Sequence, residues 1–421
     1  MDDVAIIGGG AAGLATAIFT ARMNPALRIR VLEGAGRPGA KILVSGGSRC
    51  NVTNTVVREG DYAGGRPALV KRVLRALPVD ATVAFFAELG VALHEEERGK
   101  LFPDSNRARD VLDALLRECD RLGVRVACHR RVTDIRPTAR GFAIVAGADV
   151  VEAGAVVLAT GGQSLPKSGS DGAGYGFARA FGHRVTPLTQ ALTPLCLDGS
   201  GFPHGMLSGT AINVELRVWV DDAVAFRTTG AMLFTHFGVS GPAPLDASRH
   251  WLQANAAGRH VTMTANLCPA ESFEQIEAWL LGQVSRHPRA ATSTVLAARV
   301  PAGVARAVAE YAGLTATTPL AHLTREARRA LVHTLSAWTL PVTGGRGWTW
   351  AEATAGGVAL DEVDIATMES RLGPGLFLVG EVLDVDGRLG GFNFQWAWSS
   401  ARVAATGLTR WASRAGRAAA E

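Results

Sequence analysis

A chain of 421 residues, 48% hydrophobic and 19% charged, is long enough for two or three packed domains and too apolar to be disordered. Its net charge of +5 is dispersed, with no block of five or six like charges, so charge gives no reason to expect a nucleic-acid partner. No apolar run is long enough to cross a bilayer, and no membrane partner is expected.

The fold signal begins at Asp3, which leaves no room for a secretory leader. DVAIIGGGAAGLATAIFTARMNPALRIRVLE (3–33) reads as strand, glycine turn, helix and second strand. Gly8, Gly10 and Gly13 make GxGxxG, with Ala11 and Ala12 between the last two. The first glycine permits a tight turn, the second the approach of a pyrophosphate, and the third close packing of helix on strand. The helix N-terminus then turns free N–H groups toward the phosphates. Glu33 ends the second strand, placed to bind the adenosine ribose hydroxyls. The prediction is a dinucleotide site.

Next comes GAGRPGAKILVSGGSRCNVTN (34–54), where KILV looks strand-like. Arg37 and Lys41 are positioned to reach phosphates or close over the nucleotide. Ser45, Gly46, Arg49, Cys50, Asn51 and Asn54 are read as a cradle for the flavin of FAD. Its glycines permit close backbone approach, and its polar residues supply donors to the ring edge, ribityl or phosphate chain. Cys50 has no neighbouring cysteine, so a local dithiol relay cannot form, although Arg49 beside it leaves a reactive thiol open. The five cysteines are scattered and odd in number, which argues against a disulfide framework and for the cytoplasm. Asn51-Val52-Thr53 is then a chance sequon. Val132, in a short strand RRVTDI, is a candidate for the adenine edge or an ordinary core valine.

FAD is preferred to NAD on three segments. One is the long glycine-rich continuation after Glu33. The second is AGAVVLATGG, a buried strand closing on Ala159, Thr160 and Gly161 against the nucleotide. The third is GPGLFLVGEVLDVDGRLGGFNFQWAWSSARVAA, where a strand ends at Gly380-Glu381 and a helix follows Gly390-Gly391. Glu381 is placed for ribityl hydroxyls. The second helix start, with Phe392 and Asn393, faces the pyrimidine end of a reduced flavin. The expected cofactor is noncovalent FAD.

GGGAAGL, KILVSGGSRCNVTN, ATGG, GSDGAGYGFARAFGH, LFTHFGVSGP, ATAGGV, TMESR and GLFLVGEVLDVDGRLGGFNFQWAWSS together resemble the bacterial aminoacetone-oxidase-like flavoproteins, catalogued more loosely as NAD(P)/FAD-dependent oxidoreductases. The resemblance runs from residue 5 to 400. It departs at Ser48, where the family often has a third glycine, and in the Trp- and Gly-rich GGRGWTWAEATAGGV, which suggests a subfamily. It implies bound FAD, a glutathione-reductase-like flavin domain, an inserted domain and redox chemistry on no fixed substrate.

The expected architecture is α/β: a Rossmann-type FAD domain in two pieces, 1–190 and 346–421, with an insertion between them. The insertion divides into a β-barrel-like part, 191–270, and a helical part, 271–345, capping the flavin. NVELRVWV alternates Val214, Leu216, Val218 and Val220 on one face, and Asp221-Asp222 offers a turn. Helices are read in ESFEQIEAWLLGQVSRH, PAGVARAVAEYAGL and TREARRALVHTLSAW. No second strand–GxGxxG–helix unit is present, so NAD(P)H, if it is the electron donor, must dock transiently; otherwise the substrate itself reduces the flavin.

His236, in a Gly- and Pro-punctuated loop, is the candidate catalytic residue, moving protons as hydride moves; a loop-fixing structural histidine is the alternative. Trp396 and Trp398 are read as core. Asp384 and Asp386 have no His or further acids at ligand spacing, so no metal is expected. The functional reading is an FAD-dependent oxidoreductase acting on a small amine, carbonyl or enone. The alternatives are a flavin-dependent RNA-modifying enzyme and a non-enzymatic flavin-binding regulator.

Overall fold

The computed structural model describes residues 1–418; the last three residues of the expected 346–421 piece lie outside the described residues. The chain forms two compact units, one of residues 1–188 and those from 352 on, the other of residues 189–351. Residues 346–351, expected in the FAD domain, therefore belong to the inserted unit. Two hydrogen bonds hold them there: Arg346 N–H donates to the Pro194 carbonyl, and Gly347 N–H to the Gln190 side-chain Oε1 at 3.1 Å.

The first unit opens with β1 (Asp2–Ile7), α1 (Ala11–Met23), β2 (Ile29–Leu32) and α2 (Ala40–Ser48). Its long strand β3 (Asp149–Leu158) pairs in parallel with β1, in the register Val4 with Ala155 and Ile7 with Leu158. The parallel centre of the sheet runs Leu376–Leu378, β3, β1, β2, Arg125–Ala127. β1 is apolar from Val4 to Ile7 because both sheet faces are covered there; Val4, Ala5 and Ile6 are fully buried. On one face α1 packs against the C-terminal helix Phe392–Ala418. The strand Leu376–Leu378 and this helix come from the end of the chain, so this core is complete only when both sequence pieces are present.

KILV is helical, not a strand. It forms the first turn of α2, with Ile42 buried and Lys41, Leu43 and Val44 not. One inward residue in four is the helical pattern, and a four-residue apolar run is too short to reveal its period.

The second unit holds a seven-stranded sheet whose paired strands are all antiparallel. Its order is Trp338–Leu340, Val261–Asn266, Ala211–Val220, Ala223–Thr235, Gly238–Ser240, Leu195–Leu197, Val342–Gly345. The two edge strands are successive stretches of chain joined at Pro341, so the sheet must wrap round until its edges meet. Asp221 and Asp222 both have positive φ, as a two-residue hairpin turn of the I′ kind requires. Val214, Leu216 and Val218 are fully buried, with Val220 less so. The helices Phe273–Arg286, Ala302–Tyr311 and Arg325–Ala337 follow. Ser272 starts the first with a capping box, and Thr324 Oγ1 accepts the Ala327 N–H at 3.1 Å to start the last. Strands and helices share one hydrophobic core, so there is no division at residue 270.

Candidate functional site

The glycine turn lies where β1 meets α1. Gly8, at φ +107°, presses on β3: a Cβ there would lie 2.4 Å from the Ala159 carbonyl oxygen. A Cβ on Gly13 would lie 1.9 Å from the Gly8 carbonyl oxygen, which is why the helix start tolerates no side chain there. At Gly10 a Cβ would meet nothing within 4 Å. No side chain caps α1 and no acid stands in its first turn, so the Ala11-Ala12 end presents its N–H groups to that open space. Glu33 reaches back under the turn, accepting the Gly9 N–H at 2.9 Å and the Ala35 N–H at 2.8 Å. Arg37 is exposed and makes no hydrogen bond or ion pair among the described residues, so its charge is free to meet a phosphate.

The cradle bends sharply. Gly46, Gly47 and Ser48 follow one another at φ +55°, +69° and +67°, and Cys50 is again left-handed at +63°. Left-handed backbone at Ser48 and Cys50 costs free energy that glycine would not, of order 1–2 kcal/mol each. Gly46, Gly47 and Ser48 are exposed, and a Cβ on Gly47 would meet open space. This is a backbone surface shaped for close approach. The Cys50 thiol lies beneath it, fully buried, and burial pushes its pKa up to about 12. A thiol so protonated at neutral pH is no nucleophile.

Several expected ligand contacts are spent on the protein itself. Lys41 Nζ, expected at the phosphates, lies 2.5 Å from Glu381 Oε2 and 2.6 Å from Ser164 Oγ. Glu381, expected at the ribityl hydroxyls, has its other oxygen filled by Ser164 Oγ–H and the Thr354 N–H, both at 2.9 Å. Arg49 donates to Glu96 at 2.6 Å and lies over the Phe102 ring. Asn54 donates to the carbonyls of Arg98 and Gly390, tying the cradle to the second glycine turn. Asn393 closes on the Gly387 backbone, donating to its carbonyl and accepting its N–H. Phe392 is fully buried, and Val132 is a core residue. Asn51 is buried in the cradle, and Ser45 Oγ–H donates to the Ile42 carbonyl.

The glycines of the remaining segments bring the strand ends together. Gly161, at φ +71°, leaves room for Ser170, Thr160 abuts Gly174, and Gly380 passes so close to α1 that a Cβ would lie 2.8 Å from that of Ala12. Gly391, at φ +91°, lies against the Thr53 backbone, and Gly390 precedes it at φ +129°. Trp396 and Trp398 are buried and donate to the carbonyls of Gly380 and Val52. Ser164, Ser170 and Thr354 were missed because hydroxyls at these separations carry no local signal. TMESR is structural: His183 bridges Glu362 and Ser370 like a triad, but His183 and Ser370 are buried and Ser370 Oγ is taken by two backbone N–H groups.

His236 lies in the second unit, exposed on the turn between Ala223–Thr235 and Gly238–Ser240. It stands edge-on to Phe237, whose ring carries the Arg346 guanidinium at 4.0 Å; Trp350 covers that guanidinium at 3.6 Å. Among the described residues no group of three or more His, Cys, Asp or Glu could hold a metal, and no helix is long and apolar enough to cross a membrane.

The open space at Gly10, the uncapped helix start, the unpaired Arg37 and the bare cradle backbone fit a dinucleotide carrying a flat ring. Comparison with known proteins agrees. Relatives of similar length are the ribosomal RNA dihydrouridine synthase of Escherichia coli, 34% identical over 96% of this chain and 98% of its own, and the 3-dehydro-bile acid delta(4,6)-reductase of Clostridium scindens, 32% identical over the same shares. The ribosomal RNA dihydrouridine synthase of Haemophilus influenzae is 31% identical over 96% and 98%. Among solved structures, a quinol-fumarate reductase with menaquinol superposes with a TM-score of 0.52 at 17% identity, over 99% of this chain and 72% of its own. An E. coli quinol fumarate reductase gives 0.51 at 18%, over 99% and 71%. The fold is thus the α/β FAD-binding Rossmann type with an added unit. The profile of the HI0933-like protein Rossmann domain covers residues 2–407, and the chain belongs to that family of flavoprotein oxidoreductases.

Proposed function

We propose that the chain is an FAD-dependent reductase that saturates a ring carbon–carbon double bond conjugated to a carbonyl. One observation carries this: relatives matched over 96% of the chain bear two different names, and both describe hydrogen added across a ring double bond. Dihydrouridine is uridine with its ring alkene saturated, and a delta(4,6)-reductase of a 3-dehydro compound removes alkenes in conjugation with a ketone.

When bound, FAD supplies two-electron transfer. The first turn of α1 and Gly10 hold the diphosphate, Glu33 the ribose, Arg37 a phosphate, and the Ser45–Ser48 turn the ring. The Gly390–Gly391 turn orders the start of the last helix, whose N–H groups would serve the ring. Electrons and one proton come from NAD(P)H docking transiently, in a cytoplasmic setting. His236 passes a second proton to the substrate carbon beside the carbonyl.

A second reading is favoured by two of the relatives being named for ribosomal RNA, which makes the ring a uracil within RNA. The test is anaerobic stopped-flow of the yellow holoprotein with NADH, NADPH and an amine panel. Testosterone, as a cyclic enone, or a ribosomal RNA fragment then follows as oxidant. Bleaching by NAD(P)H and recovery of colour with the enone supports the small-molecule reading, and recovery with RNA alone supports the second. Bleaching by an amine alone restores the amine oxidation that an aminoacetone-oxidase-like enzyme implies. A reduced protein that neither compound reoxidises ends the reductase proposal.

A further inference from the structure

The Gly46–Ser48 turn has little to hold it from within. Its three residues are left-handed in succession and exposed, and glycine is the residue with most freedom to lose on ordering. The Ser45 carbonyl closes the base, accepting the Cys50 N–H at 3.0 Å. The remaining hold comes from Arg49. Its Nε–H reaches back to the Gly46 carbonyl at 3.4 Å, and its Nη1 donates to Glu96 Oε1 at 2.6 Å. Its guanidinium lies 4.1 Å over the Phe102 ring. The same ring supports the turn: a Cβ on Gly46 would lie 2.9 Å from Phe102 Cε1. Glu96 and Phe102 stand on the paired strands Leu93–Glu96 and Lys100–Pro103, and the second of these also pairs Leu101 with Thr53 of the cradle segment. Arg49 therefore clamps a strained turn to a sheet.

The charge of this arginine is already answered. Its hydrogen bond holds the Glu96 carboxyl below the usual carboxylate range, so Glu96 is anionic at neutral pH and balances the guanidinium. We propose that Arg49 is a positioning residue: through Glu96 and Phe102 it holds the Gly46–Ser48 turn in the shape that receives the isoalloxazine ring, and it does not itself bind the flavin. The proposal rests on the FAD assignment and goes beyond it by naming the side chains that set the fit of the ring without touching it.

The test is titration of the full-length, cofactor-free protein with FAD and, separately, with ADP. ADP carries the adenosine and the diphosphate without the ring, so it reads the start of α1 and not the cradle. Arg49→Met and Glu96→Gln should each weaken FAD about tenfold, and the double variant no more than the weaker of the two. ADP should bind all four proteins alike. The visible circular dichroism of bound FAD should change in the same way in both single variants, because the same turn has moved. FAD held as tightly by Glu96→Gln as by the wild type, while Arg49→Met loses it, means that the arginine meets the flavin directly and overturns the proposal. An equal loss of ADP affinity means that the whole unit has suffered, and overturns it too. Tight FAD binding by every variant sinks the positioning role alone, whereas a wild type that takes ADP and no FAD sinks the flavin assignment itself.

Discussion

A methyl group built on Gly13 would lie 1.9 Å from the Gly8 carbonyl oxygen, whereas one built on Gly10 would meet no atom within 4 Å. Gly10 sits at φ −83°, a conformation open to any residue. One glycine is therefore required by packing and the other by what occupies the space above it. Gly10→Val should fold with the far-UV spectrum and unfolding midpoint of the cofactor-free wild type. It should weaken FAD at least about a hundredfold, roughly 3 kcal/mol. Gly13→Val should fail to accumulate as folded protein, since overpacking against backbone cannot be relieved by a rotamer change. Fluorescence titration of FAD and circular dichroism separate the two, and Gly10→Val retaining a full complement of FAD would remove the phosphate assignment. At this scale the glycines were legible because each role follows from local geometry. The fates of Arg49 and Asn54 were not, because their partners Glu96 and Gly390 lie 47 and 336 residues away.

Four segments meet at the Lys41–Glu381 pair: the start of α2, the loop after β3 with Ser164, the strand carrying Thr354, and the end of Leu376–Leu378. The two side chains are 24% and 17% exposed, so water compensates little for a lost partner. Lys41→Met and Glu381→Gln should each destabilise the first unit by about 1–3 kcal/mol. The double variant should cost less than the two together by a coupling of about 0.5–3 kcal/mol. Urea unfolding of the four proteins measures this, and strict additivity would mean the pair is incidental. A separation of 340 residues makes such a pair invisible to spacing arguments, so each charge was assigned to the ligand instead. Helix caps and the Asp221-Asp222 turn were legible because their partners lie within a few residues. KILV was misread because four residues do not define a period.

The two units differ in how their chains are drawn together. The second is one continuous stretch with its own sheet, helices and core. A fragment of residues 189–351 should unfold cooperatively in urea, while residues 1–188 alone should not, lacking the strand Leu376–Leu378 and the helix that covers α1. A molten 189–351 fragment, without near-UV dichroism, would refute this. In the second unit's seven-stranded sheet Leu195 pairs with Gly345, the sheet's first strand in chain order with its last. Such a ring closes late, because loop entropy precedes its reward. The first unit waits longer still. Val156, Val157 and Leu158 keep one side of their backbone unpaired until Leu376, Phe377 and Leu378 arrive. At ribosomal elongation rates of about 5–20 residues per second that edge stays bare for roughly 10–40 s. For that interval the nascent chain offers any passing strand the same ladder it reserves for its own tail. A cell making this protein must shield the edge, and overproduction should reach its limit in aggregation during synthesis rather than in instability of the finished molecule.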